Sequence, residues 1–136
     1  MADTQKIGPN ADAFKPVTQT IETEAAGVGY AAGAGWTQIL SAAVTPGEVS
    51  DVFAQADVTL SPLVATDDVD LKLQINGTDG TTQTVTAVLT VKTAVSLMAK
   101  KANVVAGATT VKLYARGTGQ AGNVLVAFVT TTVKKA

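Results

Sequence analysis

The chain has 136 residues, 46% of them hydrophobic, a net charge of −1, and neither histidine nor cysteine. That length gives room for one domain with one core, and the composition is globular rather than disordered. Without cysteine there is no disulfide framework or thiolate metal site, and without histidine the commonest general base and metal ligand is missing.

Aromatic residues make up only 4% of the chain. A core of Val, Leu, Ala and Thr forms thin layers, because each side chain buries less area than a Phe or Trp would. Stability then depends in part on burial against a neighbouring subunit. The charges are segregated. Residues 1–68 hold nine acids against Lys6 and Lys15, and residues 69–136 hold Asp70 and Asp79 against eight bases. Strands from the two halves interleave and neutralise each other in one sandwich, or the particle docks head to tail on a charged partner surface.

Residues 1–17 are sparse in apolar side chains and punctuated by Gly8-Pro9-Asn10 and Lys15-Pro16. They read as a loose terminus or as an arm that orders on a partner, with Ile7, Phe14 and Val17 as its apolar contacts. Met1 to Lys6 lack the basic start and apolar run of a signal peptide, and no stretch approaches a membrane-spanning helix. The expectation is synthesis and initial folding in the cytoplasm, with secretion by another route left open and no membrane partner.

Val17 to Glu24 alternates as a first strand. Ala25 to Gly35, rich in Ala and Gly, reads as a connector. Trp36 to Val44 is a strand with Trp36, Gln38, Leu40 and Ala42 on one side. Thr45-Pro46-Gly47-Glu48 is a turn. Val49 to Ser61 follows as a longer strand with Val52, Ala54, Ala56, Val58 and Leu60 inward, and Pro62 closes it.

Val69 to Val91 reads as a hairpin around which the chain is organised. Val69, Leu71, Leu73 and Ile75 alternate with polar residues, the turn contains Asn76-Gly77 and Asp79-Gly80, and Val85, Ala87, Leu89 and Val91 continue the return strand. Ala94 to Ala99 is a short strand interrupted at Lys100 to Asn103. Thr109 to Arg116 is a strand with Val111, Leu113 and Ala115 on one face.

Asn123 to Val133 is a last strand that is apolar on both faces. It carries Val124, Val126 and Phe128 on one side and Leu125, Ala127 and Val129 on the other. Both faces therefore need cover. Either the domain itself covers both faces of a central strand, or one face, with Val124, Val126 and Phe128, packs against a neighbouring subunit. About eight strands with regular turn signals predict an all-β fold, a sandwich or barrel of one domain (18–136) behind the arm (1–17).

No catalytic constellation emerges. Asp67, Asp68, Asp70 and Asp79 with Asn76 form an acidic group that could hold calcium or simply be solvated, and no EF-hand spacing is present. Asn76-Gly77-Thr78 matches a glycosylation acceptor inside a hairpin turn. Gly117-Thr118-Gly119-Gln120-Ala121-Gly122 matches G-x-G-x-x-G but lies between strands instead of opening a helix, so the phosphate cradle is missing. Trp36 and Tyr30 are a candidate sugar-stacking platform, against a core or interface role for the Trp. The bases are not interleaved with aromatics, which gives nucleic-acid binding no support.

From Trp36 to Val133 the chain resembles the small jelly-roll modules of phage virion proteins, similar in pattern to trimeric TNF/C1q-like domains. The resemblance lies in the Val49–Leu60 strand, the Val69–Ile75 strand with its Asn-Gly/Asp-Gly turn, the Ala106–Leu113 segment and the closing Asn123–Val126 strand. It implies a jelly-roll-like antiparallel β-sandwich, a homotrimer, and a non-enzymatic capsid decoration (cement) or head-fibre role on the capsid surface. The partner would be the major capsid protein or another virion protein, with no cofactor. The alternative is a carbohydrate-binding or receptor-binding module of a fibre or adhesin.

Overall fold

The computed structural model describes residues 16–88 and 90–136, and among them all regular structure is β-strand. The strands are β1 (Val17–Tyr30), β2 (Thr37–Val44), β3 (Ser50–Leu60), β4 (Asp67–Ile75), β5 (Thr78–Asp79), β6 (Gln83–Ala87), β7 (Thr93–Val104), β8 (Thr109–Gly117) and β9 (Gly122–Lys135). The pairing is nested. β1 pairs with β9, β2 with β8, β3 with β7, and β4 with its own return β5/β6, all antiparallel. A hairpin folded in this way and rolled up closes when β9 also pairs with β3 and β8 with β4. Two sheets result, in the orders β1-β9-β3-β7 and β2-β8-β4-β5/β6. This is the jelly-roll β-sandwich.

The hairpin turn forms as the sequence requires. Asn76 and Gly77 have φ of 49° and 83°, and Ile75 faces Thr78 across them. The return strand is shorter than expected and ends at Ala87, so Val91 is exposed outside it and Leu89 lies outside the described residues.

Alternation places Val52, Ala54, Ala56, Val58 and Leu60 of β3 in the core, opposite Val69, Leu71, Leu73 and Ile75 of β4 and Val111, Leu113 and Ala115 of β8. Each fully buried Val or Leu contributes about 1.5–3 kcal/mol relative to exposure. A side-chain clasp also ties β1 to β2. Gln19 donates through Nε2 to the Thr45 carbonyl at 2.6 Å, and its Oε1 accepts from the Thr45 amide at 3.4 Å. One amide thus stands in for a missing backbone partner between the sheets.

Four further expectations need correction. The connector at Ala25 to Gly35 is strand as far as Tyr30, because the β9 ladder continues through Ala25–Ala127, Val28–Val124 and Tyr30–Gly122. Gly27, at φ 65°, takes up the local irregularity there. In β2 the register shifts between Gln38 and Leu40, so Ile39 and Leu40 are buried together and the simple alternation fails. Lys100 to Asn103 do not interrupt β7, which runs on to Val104 beside β3. In β9, Thr59 faces Val126 while the adjacent Leu60 faces Val124. Leu125 is therefore an extra residue, a bulge that flips the phase of the strand.

Candidate interaction surface

The bulge at Leu125 decides what β9 shows to the outside. Val124 is fully buried in the core, together with Ala127, Val129 and Val133. Val124, Val126 and Phe128 therefore do not share a face. Val124 points between the sheets, while Phe128 (38% exposed), Leu125 (36% exposed) and the half-buried Val126 lie outside.

The outer face of the β1-β9-β3-β7 sheet is laid out in four cross-strand rows. They are Ala26–Val126–Thr59–Ala94, Glu24–Phe128–Asp57–Ser96, Glu22–Thr130–Gln55–Met98 and Thr20–Thr132–Phe53–Lys100. On its two central strands Val126, Phe128 and Phe53 alternate with threonines, Gln55 and Asp57. Phe128 walls an open hollow of about 300 Å³ beside Asp57, Thr59, Ala94 and Ser96, and Phe53 and Met98 frame a smaller one of about 110 Å³. Exposed apolar side chains gathered on one face mark contact sites. Phe53 and Met98 did not emerge as candidates from the sequence, although both sit at outward positions of strands whose neighbours alternate inward.

The charges on this face are sorted. Asp57 accepts from the Ser96 hydroxyl at 2.7 Å, and Asp51 from the Asn103 amide at 3.1 Å. Lys100 and Lys134 hold their ammonium groups 5.2 and 5.4 Å from the Phe53 ring centre, one on each neighbouring strand. Such contacts restrict long side chains that would otherwise sample many rotamers.

On the opposite sheet the charges around Trp36 are paired within the face. Arg116 stacks 4.1 Å from the Trp36 ring centre and Lys72 lies 4.6 Å from it. The Arg116 Nε donates to Asp70 at 3.0 Å and its Nη1 to the Ala34 carbonyl at 3.0 Å. Lys72 and Gln74 both donate to Asp79. Trp36 is thus covered by cations that pin the 31–36 loop to the sheet. Tyr30 is 3% exposed, on the core side. The proposed Tyr30–Trp36 sugar platform is not assembled.

The four aspartates of the presumed acidic group are each engaged separately. Asp68 accepts from Thr86, Asp70 from Thr84 and Arg116, and Asp79 from Lys72 and Gln74. Among the described residues no group of three or more acids converges in a way that would hold a metal. Hydrogen bonds from Thr84 and then Arg116, together with the guanidinium charge, hold the Asp70 carboxyl below the usual carboxylate range. Bonds from Gln74 and Lys72 do the same for Asp79.

Asp67 fills the glycine-rich loop. Its carboxylate accepts from the amides of Thr118, Gly119 and Gln120 at 3.0–3.2 Å, with Gly119 reaching both oxygens. The G-x-G-x-x-G loop is therefore an anion nest whose anion belongs to the chain itself. Burial, and then the charge of Asp67, push the Tyr30 phenol above its ordinary value.

Of the arm residues, Val17 is the first residue of β1, opposite Lys134 and 52% exposed. Ile7 and Phe14 lie outside the described residues.

No protein-family model and no curated protein matches the chain. Solved structures do resemble it. One is the structure of infectious bursal disease virus, Gx strain, at 14% identity and a TM-score of 0.58, covering 87% of this chain and 33% of that one. A second is the T13 particle of the same virus (8% identity, TM-score 0.55, 85% and 31% covered). A third is its VP2 subviral particle (12% identity, TM-score 0.53, 88% and 34% covered). The chain spans about a third of the length of each. At these identities the likeness is one of fold, and it agrees with the nested jelly-roll order.

Proposed function

We propose that this chain is a non-enzymatic structural protein of a virion, a decoration (cement) protein that binds the capsid shell from outside and reinforces it. The observation that carries this reading is the jelly-roll order it shares with chains of infectious bursal disease virus particles. The outward apolar sheet face around Phe128 adds to it, since an exposed patch of this sort belongs to a protein that works by contact.

In this reading the virus is a bacteriophage and the protein is made in the host cytoplasm. Its partner is the major capsid protein or another virion protein. The N-terminal arm attaches through Ile7 and Phe14, with Val17 at the point where the arm enters β1. Copies associate, as a trimer, through Val126 and Phe128 with Leu125 beside them. Val124 is left out of that interface because the core occupies it.

The test is co-sedimentation with capsid shells that lack the protein, beside a thermal melt. The full chain is expected to travel with the shells and to raise their melting temperature. A version lacking residues 1–16 is expected to melt and self-associate like the full chain but stay unbound. Wild-type shell binding by the truncated chain would move attachment to the sandwich. No binding by the full chain would overturn the decoration role.

A further inference from the structure

We infer that the outer face of the β1-β9-β3-β7 sheet receives a second copy of this chain, with Glu22 and Glu24 of one copy paired to Lys100 and Lys134 of the next. The inference rests on the proposal above that copies assemble, and it adds which groups meet. Glu22 and Glu24 project from the outer face of β1, an edge strand, and are both exposed. Neither has an ion-pair partner among the described residues. The cationic counterpart lies on the same face. Lys100 projects from β7, the opposite edge strand, and Lys134 from β9, and both are held against Phe53. No carboxylate of the described residues pairs with either of these two lysines.

Two carboxylates and two ammonium groups therefore stand on one face, with no ion pair to either set among the described residues. The other acids of the face, Asp51 and Asp57, accept hydrogen bonds from the Asn103 amide and the Ser96 hydroxyl, and Asp51 lies opposite Lys134 across the β3–β9 ladder without forming an ion pair with it. The apolar side chains follow the same plan. Phe128 occupies the row of Glu24, and Phe53 the row of Lys100. Bringing the acidic part of one copy onto the basic part of another covers both aromatic rings. Placing like parts together would set Glu22 and Glu24 against themselves and Lys100 against Lys134, and repulsion disfavours that arrangement. The charge layout thus selects the register in which the apolar patches meet.

The experiment measures self-association by sedimentation velocity over a concentration series, for the wild type and three variants. E22K/E24K and K100E/K134E are each expected to weaken association by about tenfold or more, because each turns two attractions into repulsions. The four-fold swap E22K/E24K/K100E/K134E is expected to restore it to near the wild-type value. Raising ionic strength from about 0.05 to about 0.5 M is expected to weaken wild type and four-fold swap alike, since the screening length falls to several ångströms. If the wild type associates but either double variant does so equally well, or the four-fold swap stays as weak as the doubles, the pairing is wrong while assembly stands. A wild type that stays monomeric at tens of micromolar in low salt would overturn assembly itself, and the pairing with it.

Discussion

Thr131 sits on the inward side of β9 with no exposure, and its hydroxyl has no hydrogen-bond partner among the described residues. A buried hydroxyl without a partner costs about 1–3 kcal/mol in lost hydration. Thr131→Val keeps the shape and removes the polar atom. It is expected to stabilise the fold by about 1 kcal/mol, seen as a higher denaturation midpoint at unchanged slope. Asp70 gives a second prediction at this scale. Its carboxyl titrates below the usual carboxylate value when folded, through Thr84 first and Arg116 next. Its contribution is therefore fully present above the unfolded value and is lost as pH falls through the lower folded value. The melting-temperature gap between wild type and Asp70→Asn should be largest near neutral pH and should close as pH falls below about 4. A gap independent of pH would contradict this account.

Among the elements, the loop between β8 and β9 depends most on one side chain. The carboxylate of Asp67, the first residue of β4, organises three consecutive amides 51–53 residues away in sequence. Asp67→Ala is expected to cost about 2–3 kcal/mol, given that hydrogen bonds to a charged group are the stronger class. Faster amide exchange should be confined to Thr118, Gly119 and Gln120, and Asp67→Asn should recover part of the loss. Uniformly faster exchange across both sheets would mean that the loop is not a separate unit. The strands β3, β4 and β8 were legible in the sequence because each has one wet and one buried face, so period two shows directly. The second half of β1 was not, since Ala and Gly carry no strand signal and only the β9 ladder keeps them extended. Nor was the bulge in β9, because a run that is apolar on both faces hides a one-residue shift of phase. Strict alternation therefore groups Val124 with Val126 and Phe128, whereas the bulge separates them. The outward positions of Phe53 and Met98 could have been read from the parity of their strands. Their place in cross-strand rows with Phe128 and Lys100 could not, because rows depend on a strand order set by distant pairings.

At the scale of the whole molecule, the two sheets differ in what they leave unfinished. The β2-β8-β4 face satisfies its own charges around Trp36, while the β1-β9-β3-β7 face exposes Phe128 and holds Glu22, Glu24, Lys100 and Lys134 with no ion pair among the described residues. Phe128→Asp should leave the monomer folded, since the side chain is already more than a third exposed, yet disrupt association. Placing an unpaired carboxylate in an apolar contact costs on the order of several kcal/mol. Sedimentation beside a thermal melt separates the two effects. The proposal that the chain belongs to a virion is tested most directly by quantitative mass spectrometry of gradient-purified particles of the virus that encodes it. Peptides from this chain should co-purify with the major capsid protein at a fixed ratio through successive gradients. Their recovery only from the lysate supernatant, with none in the particles, would contradict it.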